Sequence, residues 1–526
     1  MTYIKNIAGE TDAGRSVNLS ATHEGHLEVA LHAPRLPFGA IEVESLEPIF
    51  QSDAVYGLNS LSTLSTIVGS GSATASSNLF TCSTGGTTVG NLASIQSRKR
   101  LRYRAGQGTL ARFTGLYTTG IANTIQTIGI GTGESGYYFG YNGTSFGILH
   151  STGGIREIQT LTVTTASTAT NDYVVTLGGT AFNVTATNNS STTKTAYEIS
   201  QGTYAGWTAV QRGATVIFLA NTVGDKTGTF SLAQTGAGSP AAGSFVETLT
   251  GVASTDTWIP QASWNGDTMD GNGGSGATLD PTKGNLYSVD MEYLGFGSVN
   301  FKVEIASSGN NADWVTVHTI RFPNNQTSTN VTQPSMPFTM AVANTGTASG
   351  TVICKCGSFA GFVTGKKKVT GPRMTYYRDT NNFVGSAAST FYPLFTVRNE
   401  LTYACFGTER ANQAVVNLIS MSGSHDDTTP VSIYLIRGAT LIGTPSFIAF
   451  SSGKSCTYWD TAATTATITT NDQIIYSLQL PQAGAGSVAF ADEITIQPGE
   501  TITVAARAVT GIATYCSASL NTREDQ

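Results

Sequence analysis

Short pleated strands joined by tight turns, folded into several β-sandwich or jelly-roll-like domains, are what this 526-residue chain asks for. Three observations lead there. The 59 glycines follow no collagen-like period and stand among β-branched and aromatic residues. Glycine supplies the positive φ of tight turns, while Thr, Val and aromatic side chains suit the pleat. Charged residues make up only 12% of the chain, about half the usual ~25%. Period-2 alternation recurs along the sequence, and residues 191–201 are one of the few places where a helix fits. A hydrophobic share of 40% is ample for several cores. The length suggests roughly three or four domains.

Residues 1–50 are irregular, with two short apolar alternations and then Pro34 and Pro37 around Leu36. Two prolines so close forbid a central strand, so an extended N-terminal arm is expected. Residues 51–155 become strand-like, with alternations at 96–113, 120–130 and 136–150, and the same texture resumes over 256–365. There Tyr287, Val289, Met291 and Tyr293 share one face, with Ser288, Asp290 and Glu292 on the other. Beyond Gly295-Phe296-Gly297, Val299, Phe301 and Val303 repeat the pattern against Asn300, Lys302 and Glu304. Period 2 on both sides of a glycine turn predicts a hairpin with one face buried.

The two stretches read as one sandwich interrupted by an insert, because exposed turns tolerate insertions. The insert, residues 156–255, is Thr-rich and nearly free of charge. Strands are expected at 159–165, 172–177, 180–187 and 215–220, with the helix at 191–201. Lys366-Lys367-Lys368 marks a junction, and residues 366–526 read as a C-terminal β-sandwich. Its strands are expected at 392–398, 415–420, 431–437, 473–479 and 493–505. The turn Gln497-Pro498-Gly499-Glu500 reads as a hairpin. No repeat of the propeller or solenoid kind is visible, and no heptad pattern for a coiled-coil stalk.

A net charge of −6 gives no reason to expect nucleic acid. The start of the chain carries no apolar signal region, and the longest apolar run, 214–220, is too short for a membrane span. A product made in a host cytoplasm is therefore expected. Cys82, Cys354, Cys356, Cys405, Cys456 and Cys516 do not complete a zinc tetrad, and buried reduced thiols are expected. A bridge from Cys405 to Cys456 or Cys516 stays open at this point.

The one basic cluster is Arg98, Lys99, Arg100, Arg102 and Arg104, followed by Arg112. A strand would place Arg98, Arg100, Arg102 and Arg104 on a single face, where they repel unless met by anions. The partner is then a polyanion such as a phosphorylated surface glycan, or acids on a neighbouring strand or subunit. Asp267, Asp270, Asp280, Asp290 and Glu292 lie in the companion half, and pairing or solvation is the commoner fate of charged strand faces. Tyr138, Tyr141 and Trp264 are the aromatics to weigh as a sugar-stacking platform, although core packing is the commoner use of such rings.

Residues 264–273 resemble a calcium loop only in part, lacking its ordered acids and its terminal Glu, so no metal is expected. His23 and His26 have the wrong spacing for a zinc helix, and His425-Asp426-Asp427 reads as a turn. Neither a nucleophile elbow nor a P-loop is present. A distant pair of carboxylates, with Asp267 and Asp270 as those to test, is the remaining route to glycan cleavage. With acids this sparse, no catalytic residue and no cofactor are expected, and the chain reads as no enzyme.

Residues 280–285 (DPTKGN) running into 293–297 (YLGFG), together with 98–108 (RKRLRYRAGQG) and 139–143 (FGYNG), resemble a family of virion structural proteins. These are fibre- or spike-like proteins of tailed phages and algal viruses. Residues 25–30 (GHLEVA), 34–39 (PRLPFG) and 519–525 (SLNTRED) are similar as well, so the resemblance spans essentially the whole chain. It implies a subunit of a tail fibre, spike or baseplate-type appendage in the virion. Its implied partners are its own copies, in a trimer by preference, other virion proteins and host surface glycans. No catalytic residue comes with the resemblance. Weakly charged β surfaces agree with self-association on physical grounds, since nothing repels a second copy. A capsid decoration or vertex protein without host binding is the alternative, and a glycan-cleaving enzyme the third reading.

Overall fold

The structure, a computed structural model, describes residues 6–10, 16–20 and 46–525, apart from 169, 189–190, 235–241, 307–311, 366–370, 388, 406 and 491–493. Most of the expected arm, with Pro34 and Pro37, and the junction at Lys366-Lys367-Lys368 lie outside the described residues. Within the arm, the backbones of Asn6–Glu10 and Ser16–Ser20 pair antiparallel. The chain is already sheet by Leu46–Asp53, which pairs with Ser358–Thr364, so the irregular segment ends short of residue 50.

The described chain is all-β, with sheets packed in several sandwich-like lobes and a single α-helix among the described residues. In the first lobe, a seven-stranded sheet runs in the order Thr255–Pro260, Ser145–Thr152, Gly136–Asn142, Thr124–Gly131, Phe338–Asn344, Leu92–Ser97, Thr63–Val68. The facing sheet is centred on Thr109–Tyr117, which pairs with Asn285–Met291, Ile353–Cys356 and Ser358–Thr364. Each of these strand pairings is antiparallel. Alternation decides what the two sheets bury: Tyr287, Val289 and Met291 pair with Val303, Phe301 and Val299, and all six are buried. The expected hairpin is present, except that Ser288 and Glu292 on its wet face are buried too.

Aromatic rings from opposite sheets close this core. Phe139 meets Tyr287 at 4.7 Å and Phe301 at 5.4 Å between centroids, and Phe338 stacks on Phe359 at 3.9 Å. Such ring pairs are stabilised beyond their buried area by about 0.5–1.5 kcal/mol each.

Residues of the insert make their own sheets. Arg156–Val163 lies between Thr215–Val223 and Gly243–Leu249, and Asn171–Leu177 between Thr180–Ala186 and Ser231–Gln234. The helix spans Thr192–Ser200, within the expected 191–201, and is capped by Ser191, whose Oγ accepts a hydrogen bond from Lys194 N at 3.3 Å. Its buried face, with Ala196 and Ile199, packs on Leu161, Val175 and Phe218.

In the C-terminal lobe, Thr514–Asp525 pairs with both Arg373–Val384 and Val415–Ser424. The facing sheet has Thr501–Ala508 between Tyr392–Asn399 and Val431–Arg437. The turn Gln497-Pro498-Gly499-Glu500 is not a hairpin. Thr495–Ile496 pairs with Val415–Ser424 in one sheet, whereas Thr501–Ala508 belongs to the other, so the turn crosses between the layers. A proline–glycine turn reverses the chain in either case, and only the distant partners decide which.

Phe139 is fully buried amid Trp264, Tyr287 and Phe301. Phe139→Ala is expected to cost about 3–5 kcal/mol of stability, read as a fall in the denaturant midpoint with an unchanged slope.

Candidate functional site

The basic segment begins where Leu92–Ser97 ends. Ser97 Oγ donates to the Lys99 carbonyl at 2.7 Å, and only Leu101 returns to the sheet, in a bridge with Met336. The expected strand carrying four arginines on one face does not form. A pleat would hold like charges side by side, whereas irregular backbone lets each guanidinium reach its own partner. Arg98 pairs with Glu500 at 2.7 Å, Arg104 with Asp525 at 3.1 Å, and Arg100 bonds Gln413 Oε1. All three partners belong to the C-terminal lobe. The acids expected to neutralise the cluster do not meet it: Asp290 pairs with Lys302, Asp280 with Lys283, Asp267 and Asp270 bond loop N–H groups, and Glu292 is buried with its Oε2 bonded to none of the described residues.

Burial, with Arg102 and Arg156 alongside and against the pull of Glu134, pushes the Arg100 guanidinium down to about 9. Burial lowers Arg102 more than Asp525 restores it. The cluster is thus an internal junction between the first and C-terminal lobes. Arg112 stands apart, over the Trp314 ring at 5.1 Å.

Tyr138, Tyr141 and Trp264 are all buried, so none offers a ring face to a sugar. The expectation of glycan contact at these residues is corrected for that reason. The Tyr138 hydroxyl donates to Thr132 O at 3.0 Å and occupies the space that a Cβ on Gly136 would need. Tyr141 packs edge-on against Phe146 at 5.1 Å, and Trp264 against Phe139 at 6.1 Å.

The glycine-rich loop is organised by a carboxylate. Asp267 accepts from Met269 N at 2.8 Å and Ser275 N at 2.7 Å. Although burial alone would raise it, these donors hold its pKa below the usual value. A Cβ at Gly273 would strike Asp267 Oδ1, which is why glycine stands there. Among the described residues no group of three or more His, Cys, Asp and Glu is gathered as a metal needs. Cys82, Cys354, Cys356, Cys456 and Cys516 are buried free thiols, and the side chain of Cys405 lies outside what the structure describes. Among the described residues no helix is long and apolar enough to cross a membrane.

Two further features escape the sequence reading. The first is an ionic lock between the insert and the C-terminal lobe. Arg212 of the insert lies 3.3 Å from Glu400 and 2.8 Å from Glu409, and Arg398 binds Glu400 at 2.8 Å. Apolar residues surround it: Ile158, Val210, Ile217 and Leu219 meet Leu401, while Tyr197 meets Phe391, Leu441 and Phe447. Arg212 stands far from its partners in sequence; the opposite charges Arg398 and Glu400, then Glu409 and Arg410, in an otherwise uncharged stretch are the only signal.

The second is exposed apolar surface. Edge strand Thr63–Val68 shows Leu64, Ile67 and Val68 to solvent, and Val55, Tyr56 and Leu61 precede it, Tyr56 being 96% exposed. On the C-terminal lobe, Tyr377, Phe383 and Tyr515 are exposed, and Phe383 opposes Tyr515 across the strand pair with rings 5.9 Å apart. Apolar residues at both odd and even positions of 63–68, without alternation, are the readable sign of a strand that its own chain does not cover.

Glu400 is fully buried; burial raises its pKa, but Arg398, Arg212 and the Leu401 N–H more than offset this, so the folded value is lowered. Its stabilising contribution is present above the unfolded value of about 4.3 and is lost as pH falls through the lower folded value. Acidification below about pH 4 is therefore expected to loosen the insert from the C-terminal lobe, seen as faster amide exchange around Leu401 and Val210. Glu400→Gln should already exchange fast at neutral pH, and an unchanged acid profile in that variant would exclude Glu400 as the source. Compared with known proteins, the chain matches no family model, and no curated protein matches it.

Proposed function

We propose that the chain is a structural subunit of a virus particle that works as a homo-oligomer, placed in a tail fibre, spike or baseplate-type appendage. The observation that carries the assembly half of this reading is the edge strand Thr63–Val68. Among the described residues it pairs on one side only, with Leu92–Ser97, and its apolar side chains are open to solvent. A long apolar edge of this kind is a template for another chain, and monomeric proteins blunt such edges with charge or proline. Neither residue type occurs in 63–68. The virion half is supported by the resemblance of residues 98–108, 139–143 and 280–297, and a trimer is the count it favours. Other virion proteins are the partners expected at the remaining surfaces.

Sedimentation of the purified chain at micromolar concentration should give a discrete oligomer. Leu64→Lys with Ile67→Lys should convert it to a folded monomer with unchanged circular dichroism. A wild-type monomer would sink the proposal. Immunogold labelling of particles separates an appendage from a capsid decoration or vertex protein, because the second would label the shell.

Glycan contact, as part of the appendage reading, moves to the C-terminal lobe. There Phe383 and Tyr515 form an exposed aromatic pair beside a polar face in which Ser424 bonds Ser517 at 3.0 Å and Ser422 bonds Ser519 at 2.7 Å. Aromatic faces beside hydroxyls suit a sugar, with one apolar face and one wet edge. Phe383→Ala and Tyr515→Ala should each abolish retention on immobilised host polysaccharide while leaving the oligomer mass unchanged. Release of oligosaccharides during that incubation would instead favour a glycan-cleaving enzyme.

A further inference from the structure

We propose that the junction between the first and C-terminal lobes holds a small free oxyanion of the phosphate or sulfate class, bound by Arg102 and Asn417. A cavity of about 30 Å³ opens there, lined by Lys99, Arg100, Arg102 and Arg104 from the first lobe and by Asn417 and Asp525 from the C-terminal lobe. The volume exceeds the ~10–15 Å³ that one water requires. It falls far below the ~300 Å³ at which pockets for drug-sized molecules begin. The occupant is the size of an ion.

Charge selects its sign. Four cationic side chains line the space against one carboxylate, and that carboxylate is already bound twice by Arg104 Nη2, at 3.1 and 3.3 Å. Arg100 is directed to Gln413. Arg102 Nη2 and Asn417 Nδ2 are buried and have no hydrogen-bond partner among the described residues. Both are donors, and they come from the two opposing lobes. A buried donor left unmade costs about 1–3 kcal/mol. An oxyanion between them accepts from both at once and offsets the repulsion among three neighbouring guanidinium groups. The planar fork of arginine suits a tetrahedral oxyanion better than it suits water, because the bonds are charge-assisted.

The inference is independent of the proposed viral role, since it concerns only how two lobes of one chain are joined. Titration calorimetry of the full chain with inorganic phosphate, in chloride of matched ionic strength, should show one site per chain. Saturating phosphate should also raise the melting temperature. Arg102→Gln should weaken phosphate at least about tenfold, consistent with the loss of one charge-assisted bond. Asn417→Ala tests the same site from the other lobe and should weaken it as well; it keeps the test open if Arg102→Gln does not fold. No saturable heat with phosphate or sulfate, or wild-type affinity in a folded Arg102→Gln protein, would overturn the proposal. A sugar phosphate should bind at least tenfold more weakly than inorganic phosphate; equal affinity would overturn the free-ion assignment.

Discussion

Ionised side chains are scarce in this chain, and several of the ion pairs they form stand where one lobe meets another. Arg98 and Arg104 reach Glu500 and Asp525 across the first junction, and Arg212 reaches Glu400 and Glu409 across the second. Arg156 at the start of the insert holds Glu134 of the first lobe at 2.8 Å. Apolar burial is strong but without direction, so sheets alone would let the lobes settle in several orientations. A desolvated ion pair tolerates only a narrow geometry, and a mispaired one leaves a charge buried without compensation. The lobes are therefore held by hydrophobic area and oriented by a few charges. Elsewhere the surface is left mostly to Thr, Ser, Asn and Gly.

The insert shows the same division of labour. It leaves the first lobe through Arg156–Val163 and returns through Thr255–Pro260, yet its apolar face and Arg212 are spent on the C-terminal lobe. Arg212 lies over the Tyr458 ring at 4.9 Å, and Arg398 over Phe447 at 4.1 Å. Each guanidinium thus has a carboxylate within ion-pair distance and an aromatic ring against it, which suits this group better than it would an ammonium. An element grafted into one lobe becomes the clasp on another.

What could be read from the residues was local. The pairing of Asn285–Met291 with Val299–Ala306 follows from two alternating runs around a glycine turn. The helix Thr192–Ser200 follows from Ser191 ahead of a run without helix-breaking glycine or proline. Cys354 and Cys356 share a buried face, as two positions one residue apart on a strand must. What could not be read depended on partners far along the chain. Residues 98–104 alternate as a strand does, but their charges are met by Glu500 and Asp525, hundreds of positions away. Gln497-Pro498-Gly499-Glu500 has the letters of a hairpin, yet the strands it joins belong to different sheets. Tyr138, Tyr141 and Trp264 carry no mark that separates a core ring from a surface one, and burial alone decided their role. The edge surface was legible in principle, because Leu64, Ile67 and Val68 break the alternation that a covered strand would keep.

The discontinuity of the first sandwich also bears on how the molecule is made. Gly131 and Thr339 are bonded neighbours although they stand 208 positions apart. On a ribosome adding about 5–20 residues per second, Thr124–Gly131 waits roughly 10–40 s for Phe338–Asn344 to emerge. During that interval Ile128 and Ile130, fully covered in the finished lobe, have only their nearer hairpin partners. The insert is synthesised within this delay and has sheets and a core of its own, so it can collapse first while the half-built sheet stays open. Slow translation or a holding chaperone would then favour correct closure, and crowded nascent chains on one message would face their greatest risk of entanglement at this stage.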